Sequence, residues 1–133
     1  MHAADTPYAD LTPDLVLDTL EAFGQAVDGR MLQLNSYENR VFQVGVDDGG
    51  FVVAKFYRPG RWSDARILEE HTFTQALADA EVPAVPPLTL TDTHAEGAQL
   101  LGTPPTLGAF RWHRVAVAPR RGGRAPELED PDV

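Results

Sequence analysis

Between Met31 and Tyr57 the chain passes through three β-patterned segments in close succession, and no other feature constrains its fold as tightly. Met31-Leu32-Gln33-Leu34 and Val41-Phe42-Gln43-Val44-Gly45-Val46 carry the period-two alternation of strands, and Phe51-Val52-Val53-Ala54-Lys55-Phe56-Tyr57 is the strongest strand signal in the sequence. A polar bend, residues 35–39, separates the first two, and the turn cluster Asp47-Asp48-Gly49-Gly50 separates the second from the third. A parallel crossover needs a dozen residues or more, so connections this short specify an antiparallel meander.

Helical signals flank the meander. Thr12-Pro13-Asp14 supplies an N-cap acceptor, a proline suited to the first turn and an acid at the positive dipole end. Leu15, Val16, Leu20 and Phe23 then make an apolar face, and Gly24 is a natural stop. Arg58-Pro59-Gly60-Arg61-Trp62 breaks the third strand, and Ser63-Asp64 caps a long helix that runs to about Ala80. Residues 82–90 are extended and proline-marked, leading to a strand near Leu88, whereas residues 91–109 are turn-rich and fit no element. Trp112 to Ala118 alternates as a further strand. The order predicts an α+β domain: an antiparallel sheet of about five strands with a packed helix, preceded by an N-terminal helix. Residues 1–11 read as a flexible leader, 12–120 as the domain, and 121–133 as an acidic, proline-rich tail.

Composition narrows the function classes. At 133 residues there is room for one domain. A net charge of −9 argues against binding the nucleic-acid backbone, which demands clustered cations. Without cysteine there are no disulfides, thiolate metal sites or cysteine nucleophiles. No apolar run approaches the ~20 residues of a membrane span, and the N-terminus lacks the pattern of a secretion signal. A soluble, cytoplasmic domain is the expectation.

Ten of the eleven basic residues are arginine, and Lys55 is the sole lysine. Period two places Lys55 on one strand face with Phe51, Val53 and Tyr57. On the long helix, Glu70, Phe73 and Leu77 fall at i, i+3 and i+7, which reads as a core-facing stripe carrying a carboxylate. A lone charge on an apolar face is costly, so Lys55 and Glu70 are expected to pair, with Glu69 as the neighbouring candidate. A strand lysine held by a helix glutamate is how kinase-like enzymes handle phosphate. The alternative is a lysine whose stem packs while its head reaches water. Likewise Asn35, Ser36 and Asn39 can present amides to a phosphate or simply stabilise a hairpin turn. His2, His71, His94 and His113 show no metal-ligand spacing; Trp62 and Trp112 read as packing residues.

Three segments together carry a resemblance: LNSYENRVFQV (34–44), VVAKFYRPGRW (52–62) and ILEEH (67–71). In this order and spacing they resemble the N-terminal lobe of bacterial stress-response kinases in the aminoglycoside phosphotransferase/choline kinase branch of the protein-kinase-like fold. The likeness runs from about Leu11 to Pro87 and resumes from Phe110 to Arg124. It implies that Lys55 contacts the α- and β-phosphates of ATP and that Glu70 is its partner. It further implies that Ser36, Tyr37, Glu38 and Asn39 form the loop over the phosphates, and that the backbone of Ala118 and Arg120 meets the adenine edge. Pro119 has no N–H to offer there. The family's activity is ATP-dependent phosphorylation of Ser/Thr on a protein substrate, with Mg²⁺.

The family's His-Gly-Asp catalytic loop, its following Asn and its metal-binding Asp belong to a C-terminal lobe, and these motifs are absent from the 133 residues. The expectation is therefore a nucleotide-binding lobe with no catalytic residue or metal ligand of its own and no kinase activity alone. It would expose an inter-lobe surface able to associate. The other reading is a truncated, non-catalytic interaction domain that ignores nucleotide.

Overall fold

The computed structural model describes residues 11–34 and 38–120. Helix α1 (Pro13–Ala22) begins as its sequence dictates, with the Thr12 hydroxyl accepting from the Leu15 N–H at 3.2 Å. It ends with Gly24 in a left-handed conformation, φ +98°. Strands β1 (Val27–Leu34), β2 (Arg40–Val46) and β3 (Phe51–Phe56) follow as the antiparallel meander. Helix α2 (Asp64–Asp79) starts on the Ser63 hydroxyl, which accepts from the Arg66 N–H at 3.1 Å. The chain closes with β4 (Ala98–Leu101), β5 (Leu107–Phe110) and β6 (His113–Pro119). All pairings are antiparallel in the order β1-β2-β3-β6-β5-β4.

The sheet has six strands where the sequence suggested about five. The difference lies in residues 91–109, whose two four-residue strands are too short to show a period. The strand expected near Leu88 is instead a single tie, its N–H donating to the Val117 carbonyl at 2.7 Å. Pro83, Pro86 and Pro87 lack the N–H groups that a longer ladder would need. At the outer edge, the β1–β2 register shifts between Val27 and Met31 in a bulge.

The two sheet faces are covered by different helices. Val52, Ala54 and Phe56 of β3 join Phe42, Val44, Val115 and Val117 in a core closed by Leu15, Val16 and Leu20 of α1 and by Phe23 at its C-cap. Phe42 and Phe56 meet edge to face there, with centroids 5.8 Å apart. The opposite face packs Tyr57, Leu107 and Ala116 against Ile67 of α2. Lys55 belongs to this second face.

Candidate functional site

Lys55 projects from β3 into a cleft of about 450 Å³ that it shares with Glu38, Asn39, Tyr57, Trp62, Arg66, Ile67 and Glu70. Strand register decides its neighbours: Val41 of β2 and Ala116 of β6 lie directly opposite Lys55, and the adjacent row is Gln43, Val53 and Ala118. Val41, Val53 and Ala118 are half-exposed, so an aliphatic shelf extends beside the ammonium group. The Lys55 Nζ lies 5.1 Å from the centroid of the Tyr57 ring, within cation–π range.

Glu70 reaches the same cleft by a different route from the one its sequence suggested. The buried residues of α2 are Ile67 and His71, with Asp64, Leu68, Thr74, Leu77 and Ala78 half-buried, while Phe73 is 63% exposed and Glu70 is exposed. The stripe Glu70-Phe73-Leu77 is thus not the core face. A histidine occupies a core position, so the apolar residues on their own mark a face one residue off the true one. Glu70 is exposed on the flank of the true stripe. Among the described residues, no ion pair within 4.0 Å joins it or Glu69 to Lys55.

The wall of the cleft opposite α2 is tied to the turn after β3. Asn39 Oδ1 accepts from the Arg58 N–H at 3.0 Å, and Arg61 Nε donates to Glu38 Oε1 at 3.0 Å. Arg61 also stacks over Trp62, 4.1 Å from its ring. Ser36 and Tyr37, the rest of the expected phosphate loop, lie outside the described residues, as do the leader 1–10 and the tail 121–133. Ala118 is half-exposed on the cleft face of β6, and Arg120 is exposed, its guanidinium 5.6 Å from the Phe51 ring.

Behind Lys55 is a polar chain that sequence reasoning did not find. The Tyr57 hydroxyl meets His71 Nε2 at 3.0 Å, and His71 Nδ1 meets Thr106 Oγ1 at 2.8 Å. Burial pushes the Tyr57 hydroxyl well above the ordinary phenol value, and the Glu70 charge adds to the shift. Burial lowers His71 below its usual 6.5, opposed by Glu70 and assisted by Lys55. The only sequence signal for this chain is His71 at i+4 from Ile67. Trp112, expected to pack, is 83% exposed at the tip of the β5–β6 hairpin. Among the described residues no group of three His, Asp or Glu side chains could hold a metal ion, and no helix is long and apolar enough to cross a membrane.

Residues 31–133 match the sequence model of the phosphotransferase enzyme family. The chain belongs to that family. Its sheet and helices are a kinase-like N-terminal lobe, as expected. It is 38% identical to stress response kinase A of Escherichia coli K12 over 132 residues, which cover 99% of this chain and 37% of that protein. It is also 38% identical to the serine/threonine protein kinase RdoA of Salmonella typhimurium, over 94% of this chain and 34% of the relative. The chain thus spans little more than a third of the length of these relatives. A solved structure of amicoumacin kinase hAmiN in complex with AMP-PNP, Ca²⁺ and Ami shares the fold, with a TM-score of 0.64 at 18% identity. It aligns over 93% of this chain and 35% of that one.

Proposed function

We propose that residues 12–120 are the ATP-binding lobe of a cytoplasmic stress-response Ser/Thr protein kinase. The observation that carries this reading is the convergence of the sole lysine, Lys55, and the helix carboxylate Glu70 on one cleft beside an aliphatic shelf. Lys55 meets the α- and β-phosphates, and Glu70 closes on it when the phosphates draw the ammonium group into place. The loop at Ser36, Tyr37, Glu38 and Asn39 covers the phosphates. The shelf of Val41, Val53 and Ala118 takes the flat adenine, and the backbone of Ala118 and Arg120 meets its edge. The donor set suits a nucleotide: one compact cation for two phosphates and apolar surface for a base.

Mg²⁺ supplies charge neutralisation when bound, but its ligands and the base that accepts the substrate hydroxyl proton are expected in a C-terminal lobe. This chain alone is therefore expected to bind ATP and to transfer no phosphate to a protein. Titration of MgATP into the isotope-labelled chain and its Lys55→Ala variant tests the reading. Saturable amide shifts at 36–39 and 115–120 that weaken in the variant are the expected result. A well-dispersed spectrum indifferent to ATP would overturn it, leaving a non-catalytic interaction domain.

A further inference from the structure

The chain Tyr57–His71–Thr106 joins the three pieces of structure whose relative placement the cleft depends on. Tyr57 directly follows β3, two residues beyond Lys55, and packs its ring under the lysine ammonium group. His71 follows Glu70 on α2, and Thr106 lies in the connection between β4 and β5. Tyr57 is 4% exposed and His71 7%, so neither can exchange its partner for bulk water. A turn of α2 that moved Glu70 would carry His71 out of both hydrogen bonds.

Donor arithmetic fixes which nitrogen holds the proton. A neutral imidazole has one donor and one acceptor nitrogen. The Tyr57 phenol keeps its proton and, within the buried face, its partner is His71 Nε2. Nε2 therefore accepts, and the ring proton stands on Nδ1, where it is donated to Thr106 Oγ1. Thr106 is half-exposed, so its own hydroxyl proton is free to turn to solvent. The opposite tautomer would leave a buried phenol O–H without an acceptor, the more costly arrangement.

We infer that His71 is a positioning residue: in its Nδ1–H form it accepts from Tyr57 and donates to Thr106, holding the strand of Lys55 and the helix of Glu70 in register. Its effect on ligand rests on the nucleotide reading above. The tautomer and the packing do not.

Long-range ¹⁵N spectra of the imidazole in the wild-type chain are expected to show Nδ1 protonated and Nε2 bare. An Nε2–H ring overturns the inference directly. MgATP titration of Tyr57→Phe, Thr106→Val and Thr106→Ser supplies the second test. Loss of one buried hydrogen bond should weaken binding about two- to tenfold in Tyr57→Phe and Thr106→Val. Thr106→Ser, which keeps the hydroxyl, should bind like wild type. Folded variants that all bind as wild type remove the positioning role while nucleotide binding stands. Should the wild-type chain itself not bind MgATP, the nucleotide reading fails, and the Lys55 and Glu70 side-chain resonances decide the inference instead. They shift in Tyr57→Phe if His71 positions them, and unmoved resonances overturn it.

Discussion

Arg114 grips Asp64 with two nitrogens, Nε donating to Oδ1 at 2.7 Å and Nη2 to Oδ2 at 3.1 Å. Asp64 opens α2 and Arg114 lies on β6, so the start of the helix is fixed to the sheet. The carboxylate raises the guanidinium further above its already high ordinary value, chiefly through the hydrogen bonds. Both side chains are more than a third exposed, which limits the energy of the pair. Asp64→Ala is expected to cost about 1 kcal/mol, combining the pair with the lost acid at the helix start. Urea denaturation in low and high salt checks this, because the loss should shrink as salt screens the pair. A loss independent of salt would contradict it.

Gly108 lies against Phe23, the residue that caps α1 at its C-terminus. A Cβ added there would stand 2.6 Å from two atoms of the Phe23 ring. Phe23 is 1% exposed and edges onto Phe110, so it has little room to give. Gly108→Ala should destabilise by about 1–3 kcal/mol through overpacking. A double-mutant cycle with Phe23→Leu should show the two changes costing less together than the sum of each alone. Strict additivity would rule out the clash.

His71 makes stability depend on pH. Its folded value is below the ordinary 6.5, because burial, helped by the Lys55 charge, outweighs the opposing pull of Glu70. The unfolded chain then binds more protons between the two values. Stability from this group is complete above pH 6.5 and falls as pH drops towards the lowered native value, by about 1.4 kcal/mol for each pH unit of separation. Denaturation midpoints from pH 7.5 to 4.5, compared with His71→Gln, isolate it. The variant should lack the part of the slope that begins near 6.5. Parallel profiles would assign the slope to other groups.

Asn39 holds the cleft wall through one acceptor. Asn39→Ala frees the Arg58 N–H and should cost about 1 kcal/mol, whereas Asn39→Asp keeps an acceptor in place. Amide exchange at Arg58 is the local readout, expected to quicken several-fold in the alanine variant only. Equal exchange in wild type and Asn39→Ala would mean the bond adds nothing there.

Much of this architecture was legible in the sequence. Thr12, Ser63 and Gly24 punctuate the helices because each supplies a group that a helix end lacks. The meander follows from turns too short for any other connection. The edge strand β4 and its neighbour β5 were hidden, since four residues cannot display a period and Pro104 and Pro105 mark a turn. Lys55 stood out by being alone of its kind. Glu70 was reached from the wrong face, because a hydrophobic stripe does not announce that one of its members is a histidine. The partners of that histidine, 14 and 35 positions away, belong to tertiary structure and leave no local trace.

The bulge in β1 governs what the sheet can add to itself. An edge strand invites another chain to dock by backbone pairing, the route to fibrils and tangled dimers. Here Arg30 reaches inward from the edge strand over Gly45, pairing with Asp28 at 2.7 Å and donating to the Gly50 carbonyl at 3.2 Å, with its guanidinium 4.4 Å from the Phe51 ring. The irregular stretch from Val27 to Met31 breaks the flat row of amides an incoming strand would read. The kinked margin, with Arg30 holding its irregular stretch to the strands inside it, therefore caps the growth of the sheet on that side, so the lobe can keep an open cleft without becoming a template for its own polymer.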